Sequence, residues 1–262
     1  MLIGGLQKFS LLDYPGNISA IVFTQGCNFR CRFCYNPMLV WPTRDGKSKY
    51  EGMPATSQEG RESSFISSPV AGNPTKDHPK IQEDDLLMFL RDRHDKLSAV
   101  VITGGEPTIH TDLPRFIKKI KELGYLIKLD TNGTNPEMVQ DLINEKLIDY
   151  IAMDIKAPFF KYNTVIGVET DLDKIKKSIN IIIESGLDHE FRTTIAPKLL
   201  DIDDIKEIGR NIKGASKWFL QQFRNDTDLV DNEFKGSAPY SEIILREMCN
   251  VGKKYVEYCE IR

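Results

Sequence analysis

Cys27, Cys31 and Cys34 form a C-x₃-C-x₂-C run eight residues long. Thiolates at that spacing can hold three irons of a [4Fe–4S] cluster and leave the fourth without a protein ligand, and an open metal position is where a substrate or cosubstrate binds. A structural zinc site needs four Cys or His ligands. No fourth ligand stands nearby: the histidines are His78, His94, His110 and His189, and Cys249 and Cys259 lie more than two hundred residues on. An electron-carrying ferredoxin would also want a fourth cysteine. The run points to a site-differentiated cluster, with zinc and unliganded thiols as alternatives. Cys249 and Cys259 read as packing residues.

Further segments carry chemistry. In Thr103-Gly-Gly-Glu-Pro107 the paired glycines, Gly104 and Gly105, let a ligand approach the backbone, and the Glu106 carboxylate can receive an ammonium. A capping box is the alternative, because Thr103 and Glu106 have the T-x-x-E spacing. Asp130-Thr-Asn-Gly133 contains the strong Asn-Gly turn signal, but a helix rather than a strand is predicted to follow it. Asp154 and Lys156 are two apart and share one face of an extended segment. Asp130 and Asp154, on successive strand ends, are placed to bracket a cation or an ammonium; surface ion pairs are the alternative. Arg192 and Gln222 come from the last core strands and either line a polar mouth or face solvent. His110 and His189 have no partner at catalytic spacing.

These segments must be positioned by a framework. Short β-branched runs recur at 18–23, 99–103, 126–130, 150–154, 190–195, 218–222 and 255–261. Helical periodicity fills most gaps. Leu86, Leu87, Phe89 and Leu90 follow Asp84 and Asp85; Leu113, Phe116, Ile117, Ile120 and Leu123 precede Gly124; Leu172, Ile175, Ile179, Ile182 and Ile183 precede Gly186. Asn135-Pro136 reads as N-cap and first helical position. Strands nearly continuous in apolar residues and alternating with helices imply a parallel sheet. A closed eight-unit barrel takes about 250 residues, and about six units are countable here, so the expected fold is a partial (β/α)₆ TIM-like barrel. A doubly wound sheet is the competing α/β architecture.

The chain has 262 residues, enough for one such domain. The segment at about 44–80, rich in Ser, Gly, Pro, Lys and Glu, is expected to be a flexible insert, with a lid or docking loop as its functional reading. The net charge of −3 argues against a general nucleic-acid or anionic-membrane surface. No apolar run approaches the roughly 18 residues of a membrane span, and five cysteines with three of them crowded make a poor disulfide framework, so a cytoplasmic location is expected.

With these residues assembled, the chain resembles the radical S-adenosylmethionine (SAM) superfamily, whose pattern is C-x₃-C-x₂-C followed by a strand-end Gly-Gly-Glu-Pro about seventy residues later. Within it, Lys8-Phe-Ser-Leu-Leu-Asp-Tyr-Pro-Gly16, Phe23-Thr-Gln-Gly-Cys-Asn-Phe-Arg-Cys31, Thr103-Gly-Gly-Glu-Pro-Thr108 and Asp130-Thr-Asn-Gly-Thr134 resemble the glycyl-radical activating enzymes, above all the anaerobic ribonucleoside-triphosphate reductase activating group. The resemblance implies a single radical SAM domain over 1–262. It implies a [4Fe–4S] cluster on Cys27, Cys31 and Cys34, and SAM whose amino group is held by Gly104, Gly105 and Glu106. Phe33 and Tyr35 would flank the adenine. Asp154, Ile155, Lys156 and Arg192 would contact the sugar or carboxylate, Gln222 the ribose, and Asp130, Thr131 and Asp154 a monovalent cation. Many relatives carry His where this chain has Tyr35, and the insert after Trp41 is a second departure. The implied activity is reductive cleavage of SAM to a 5′-deoxyadenosyl radical that takes hydrogen from a glycine of a partner enzyme, with flavodoxin or ferredoxin as electron donor. The alternatives are a radical SAM enzyme acting on a small molecule or peptide, and a non-catalytic electron-transfer or binding protein.

Overall fold

Strands that alternate with helices and never reverse their order build this molecule. The computed structural model describes residues 1–40, 43–44, 47–48 and 81–262; apart from two short strands, the insert expected at about 44–80 lies outside the described residues. The strands are β1 (Ile3–Ser10), β2 (Ser19–Thr24), β3 (Thr43–Arg44), β4 (Lys47–Ser48), β5 (Ala99–Gly104), β6 (Leu126–Thr131), β7 (Tyr150–Asp154), β8 (Asp188–Ile195), β9 (Lys217–Gln222) and β10 (Tyr258–Ile261). The helices are α1 (Pro37–Val40), α2 (Glu83–Arg91), α3 (Leu113–Lys121), α4 (Pro136–Asn144), α5 (Tyr162–Ile166), α6 (Leu172–Glu184), α7 (Ile202–Asn211) and α8 (Glu242–Gly252).

The main sheet has the order β1-β2-β5-β6-β7-β8-β9-β10; among the described residues β3 and β4 pair with each other alone. β1 is antiparallel to β2, and every later neighbour is parallel. A doubly wound sheet reverses its strand order at a switch point. Here the order steps one way throughout, so right-handed crossovers place the helices on one face. The two edges, β1 and β10, do not meet. This is a partial barrel: six strand–helix units, from β2 with α2 to β9 with α8, and a closing parallel strand.

β1 is an element that periodicity did not signal, because Gly4 and Gly5 interrupt its pattern. The helix starts are more legible. Asn135 caps α4 by accepting from the Met138 amide, and Asp201 makes a capping box with Asp204 at the start of α7.

Alternation along the strands separates two interiors. Val22, Ile102, Leu129, Ile151, Phe191 and Trp218 face outward and share one core with helix residues such as Leu90, Phe116 and Ile179. Ile21, Ala99, Val101 and Tyr150 face inward as a small separate cluster. Tyr14, from the loop after β1, closes it from below, its ring 5.8 Å from that of Tyr150. Toward the C-terminal ends of β6, β7 and β8 the inner face turns from apolar to ionic. No helix among the described residues is long and apolar enough to cross a membrane.

Ile102→Ala, at a fully buried outward position of β5, is expected to cost about 2–5 kcal/mol in urea unfolding. Met88→Ala, at an exposed position of α2, is expected to change stability by no more than about 0.5 kcal/mol.

Candidate active site

The three thiols sit on an irregular loop after β2. Such a loop makes few hydrogen bonds of its own, so its backbone must be paired from outside. Four parts of the chain do this. The amides of Gly26 and Cys27 donate to the carbonyls of Leu39 and Val40 in α1, at 2.8 and 3.3 Å. Those of Arg30 and Arg32 donate to Ile166 and Val165 at the end of α5. The Val230 and Asp231 amides, from the segment after β9, donate to the carbonyls of Cys34 and Arg32. The Glu106 amide donates to Gly26 at 2.8 Å.

Side chains tighten the same loop. Arg30 Nη1 donates to the carbonyls of Cys27 and Phe29. Arg32 reaches Asp231 at 2.7 Å and Glu233 at 2.9 Å, with its guanidinium 4.8 Å from the centre of the Phe234 ring. Asn28 bonds Asn132 and Thr134 at the end of β6. Burial pushes the Cys27 thiol up to about 12, and burial likewise raises Cys31 and Cys34. The Phe29 amide points at the Cys27 sulfur at 3.4 Å. No group of Cys, His, Asp or Glu among the described residues is arranged around one point for a single metal ion. A cluster asks for something else, one thiolate per iron, and three thiols on one loop fit that demand.

Gly104 and Gly105 are glycines because protein backbone, before any ligand, approaches them. A Cβ on Gly105 would stand 2.0 Å from the Gly26 carbonyl oxygen, and one on Gly104 would stand 2.3 Å from the Thr24 amide nitrogen. Glu106 turns inward, 1% exposed. Its Oε1 accepts from the Thr108 amide and hydroxyl and from the Thr131 hydroxyl, and its Oε2 accepts from the Asn132 amide at 2.6 Å. It is therefore a cap, though for the turn Pro107–Ile109 rather than in the Thr103–Glu106 box. Burial pushes its carboxyl up even against these hydrogen bonds, so an arriving ammonium would favour the ionised form.

Along the inner face runs a series of charges that alternate in sign: Arg262, Glu190, Lys128, Asp130, Arg192, Asp154 and Lys156. Successive contacts are 3.0, 3.8, 2.7, 2.9, 2.7 and 2.8 Å. Tyr150 also donates to Glu190 at 3.0 Å. Burial would raise the Asp154 carboxyl, but Arg192 and Lys156 outweigh it and hold it well below the usual carboxylate range. Asp154 in turn holds the Lys156 ammonium above its ordinary range despite burial. Four cations against three carboxylates leave the series one positive charge in excess, nearest the cysteine loop at Lys156, whose Nζ is 5.9 Å from the Phe33 ring centre.

Most of the expected site residues come together here. The cation that Asp130 and Asp154 bracket is the chain's own Arg192, while Thr131 is turned to Glu106. Ile155 continues the β7–β8 pairing by donating its amide to Arg192. Phe33 is buried and Tyr35 is 41% exposed. Gln222 stands apart: it has the outward parity of Trp218 and Leu220, and its amide donates to the Tyr240 carbonyl. His189 is structural, bonded to Leu187 and Ser216. Sequence reasoning passed over Asn28, Arg32, Lys128, Glu190, Asp231 and Arg262. Lys128 and Glu190 carried a signal, each being a charge inside an apolar strand.

The radical SAM superfamily model matches residues 21–212. A Methanocaldococcus jannaschii protein named as a glycyl-radical enzyme activating enzyme is 33% identical over 266 residues, covering 100% of this chain and 95% of that protein. A 7-carboxy-7-deazaguanine synthase of Methanopyrus kandleri is 29% identical over 151 residues, 55% of this chain and 52% of that protein. Among solved structures, Streptococcus suis SuiB bound to S-adenosylmethionine superposes with a TM-score of 0.60 at 16% identity, over 90% of this chain and 48% of that one. The chain thus spans about half the length of that structure, and the likeness is one of fold.

Gly105→Ala drives a methyl group into the Gly26 carbonyl and is expected to displace Cys27. Alkylation of Cys27 by iodoacetamide in the cluster-free protein should then rise about tenfold with the circular dichroism unchanged. A second expectation concerns acid. Asp154's carboxyl is lowered in the fold, so its stabilisation is complete above the unfolded value of about 3.9 and is lost as pH falls through the folded value. The gap in melting temperature between wild type and Asp154→Asn should be widest near neutrality and begin to narrow below about pH 4.

Proposed function

The chain belongs to the radical SAM superfamily, and from that premise we propose that it is a glycyl-radical activating enzyme. The observation that carries the SAM-cleaving part of this reading is the join between the two motifs: the Glu106 amide on the Gly26 carbonyl, with Cys27 next in the chain. It ties the turn that carries Glu106 to the loop that carries the thiols.

The cofactors are a [4Fe–4S] cluster and SAM; the cluster supplies the one electron that splits SAM into methionine and a 5′-deoxyadenosyl radical. The protein's own part is positioning. Cys27, Cys31 and Cys34 each take one iron, and ligation holds as thiolates what burial alone keeps as thiols. Glu106, with the Gly104 and Gly105 backbone, receives the amino group of SAM. The excess positive charge at Lys156, backed by Arg192 across Asp154, suits its carboxylate, and Asp154 and the Ile155 backbone flank the sugar. Phe33 and Tyr35 would lie by the adenine, and Gln222 could serve as a ribose contact only by giving up its bond to the Tyr240 carbonyl. A monovalent cation on Asp130, Thr131 and Asp154 would have to compete with Arg192 for the two carboxylates. The buried strands and Tyr14 close the floor against water.

The hydrogen donor is then a glycine Cα of a protein partner, an anaerobic ribonucleotide reductase or a pyruvate formate-lyase-like enzyme. The name and full-length match of the M. jannaschii relative support this. A flavodoxin or ferredoxin would deliver the electron, in the cytoplasm, to one domain over 1–262. A second reading, a small-molecule substrate, is favoured by the match to a 7-carboxy-7-deazaguanine synthase over half the chain.

The anaerobically reconstituted, reduced protein is expected to release 5′-deoxyadenosine from SAM, and Cys31→Ala to lose cluster absorbance and cleavage together, to background. A glycyl-radical signal in electron paramagnetic resonance should appear when a candidate partner is added. Cleavage without that signal, across partners of both kinds, would reject the activating role and leave the small-molecule reading. No cleavage with a reducible cluster present would leave a non-catalytic carrier.

A further inference from the structure

Two cysteines outside the loop meet at the far edge of the sheet. Cys249 on α8 and Cys259 on β10 are buried, both are free thiols, and their sulfurs are 3.4 Å apart. The sequence reading made them packing residues, but their surroundings are built to keep the sulfurs together. Gly252, at the end of α8, is not in the left-handed region; it is small because a Cβ there would stand 2.7 Å from the Cys259 sulfur and 3.1 Å from the Trp218 ring. The sulfurs need to close by about 1.4 Å to reach bonding distance.

We propose that Cys249 and Cys259 are a dithiol–disulfide pair, a redox-modification site separate from the three-cysteine loop and oxidised by a peroxide. The neighbouring Cys259 thiol, then Lys253 and Arg246, hold Cys249 below the ordinary thiol range, which makes Cys249 the attacking sulfur. Its thiolate attacks one peroxide oxygen and the O–O bond breaks, leaving a sulfenic acid on Cys249 and hydroxide, which takes a proton to become water. The Cys259 sulfur then displaces the sulfenic hydroxyl and loses its own proton, so a second water leaves as the S–S bond forms. The two sulfurs lose two electrons and the peroxide gains them. A dithiol reductant reverses the bond by exchange. The bond ties α8 to β10, and the residue after β10 is Arg262, on Glu190 at the end of the ionic series.

Trypsin cuts after Arg246, Lys253 and Lys254, so Cys249 falls in peptide 247–253 and Cys259 in 255–262, joined after digestion only if the bond has formed. The full chain is treated with hydrogen peroxide, denatured, alkylated with iodoacetamide and digested without reductant. The expected product is the linked pair of peptides, two hydrogens lighter than the two together, lost on adding dithiothreitol and absent in Cys249→Ser. It should persist in Cys31→Ala, where the cluster reading plays no part. The proposal is overturned if both peptides come back separately alkylated at doses that oxidise the loop cysteines. It is equally overturned if either thiol is bonded instead to Cys27, Cys31 or Cys34, or is oxidised singly to sulfinic acid.

Discussion

The pairing of buried backbone groups on the cysteine loop is the requirement that the rest of the fold answers. A loop that must present three sulfurs cannot also close its own hydrogen bonds, and polar backbone left unpaired away from water is costly. The partners come from α1, the turn after β5, the end of α5 and the segment after β9, which are far apart in sequence. Each lies at the C-terminal side of a parallel strand or beyond it. The one-way strand order is what brings these connections to a common end, and a sheet with a switch point would send some of them elsewhere.

The second requirement is electrostatic. Charges removed from water must find opposite charges, or their desolvation is uncompensated. Lys128 and Glu190, both almost wholly buried, would be untenable singly. Set between Arg262, Asp130 and Arg192, each has a neighbour of opposite sign. Tyr14 and the small apolar cluster beneath them make the floor on which this ionic layer stands. One sheet therefore has a face that packs helices and a face that carries charge, and the period of two along each strand assigns residues to one or the other.

The strands and the cysteine loop were legible because their signals are local: apolar runs bounded by turns, and thiols a few residues apart. β7 is found at the predicted bounds, and Asn135 caps α4 as its Asn-Pro start implies. What was hidden depends on the third dimension. Asp130 and Asp154 were read as bracketing some cation, and only the β7–β8 register, which sets Asp154 opposite Arg192, names it as part of the chain. The glycines of Gly104-Gly105 were assigned to a ligand, whereas the collision that forbids a side chain is with Gly26 and Thr24 of the neighbouring strand and loop. Parity also separates Gln222 from its neighbour Gln221, a distinction that a run of two glutamines cannot reveal. β1 hid behind its glycines, and Cys249 and Cys259 looked unrelated until the helix and strand that carry them packed together.

The alternating inner face has one more property. Water stabilises a changing charge by turning its dipoles, and that turning takes energy and time. A row of side chains whose inner members are each held from both sides has little freedom to turn. When charge moves at the mouth above it, the field is already in place, and the medium has little left to rearrange. The inner face of the sheet acts as a frozen solvent with a low reorganisation energy, written into β6, β7 and β8 by residues that touch one another before any ligand arrives.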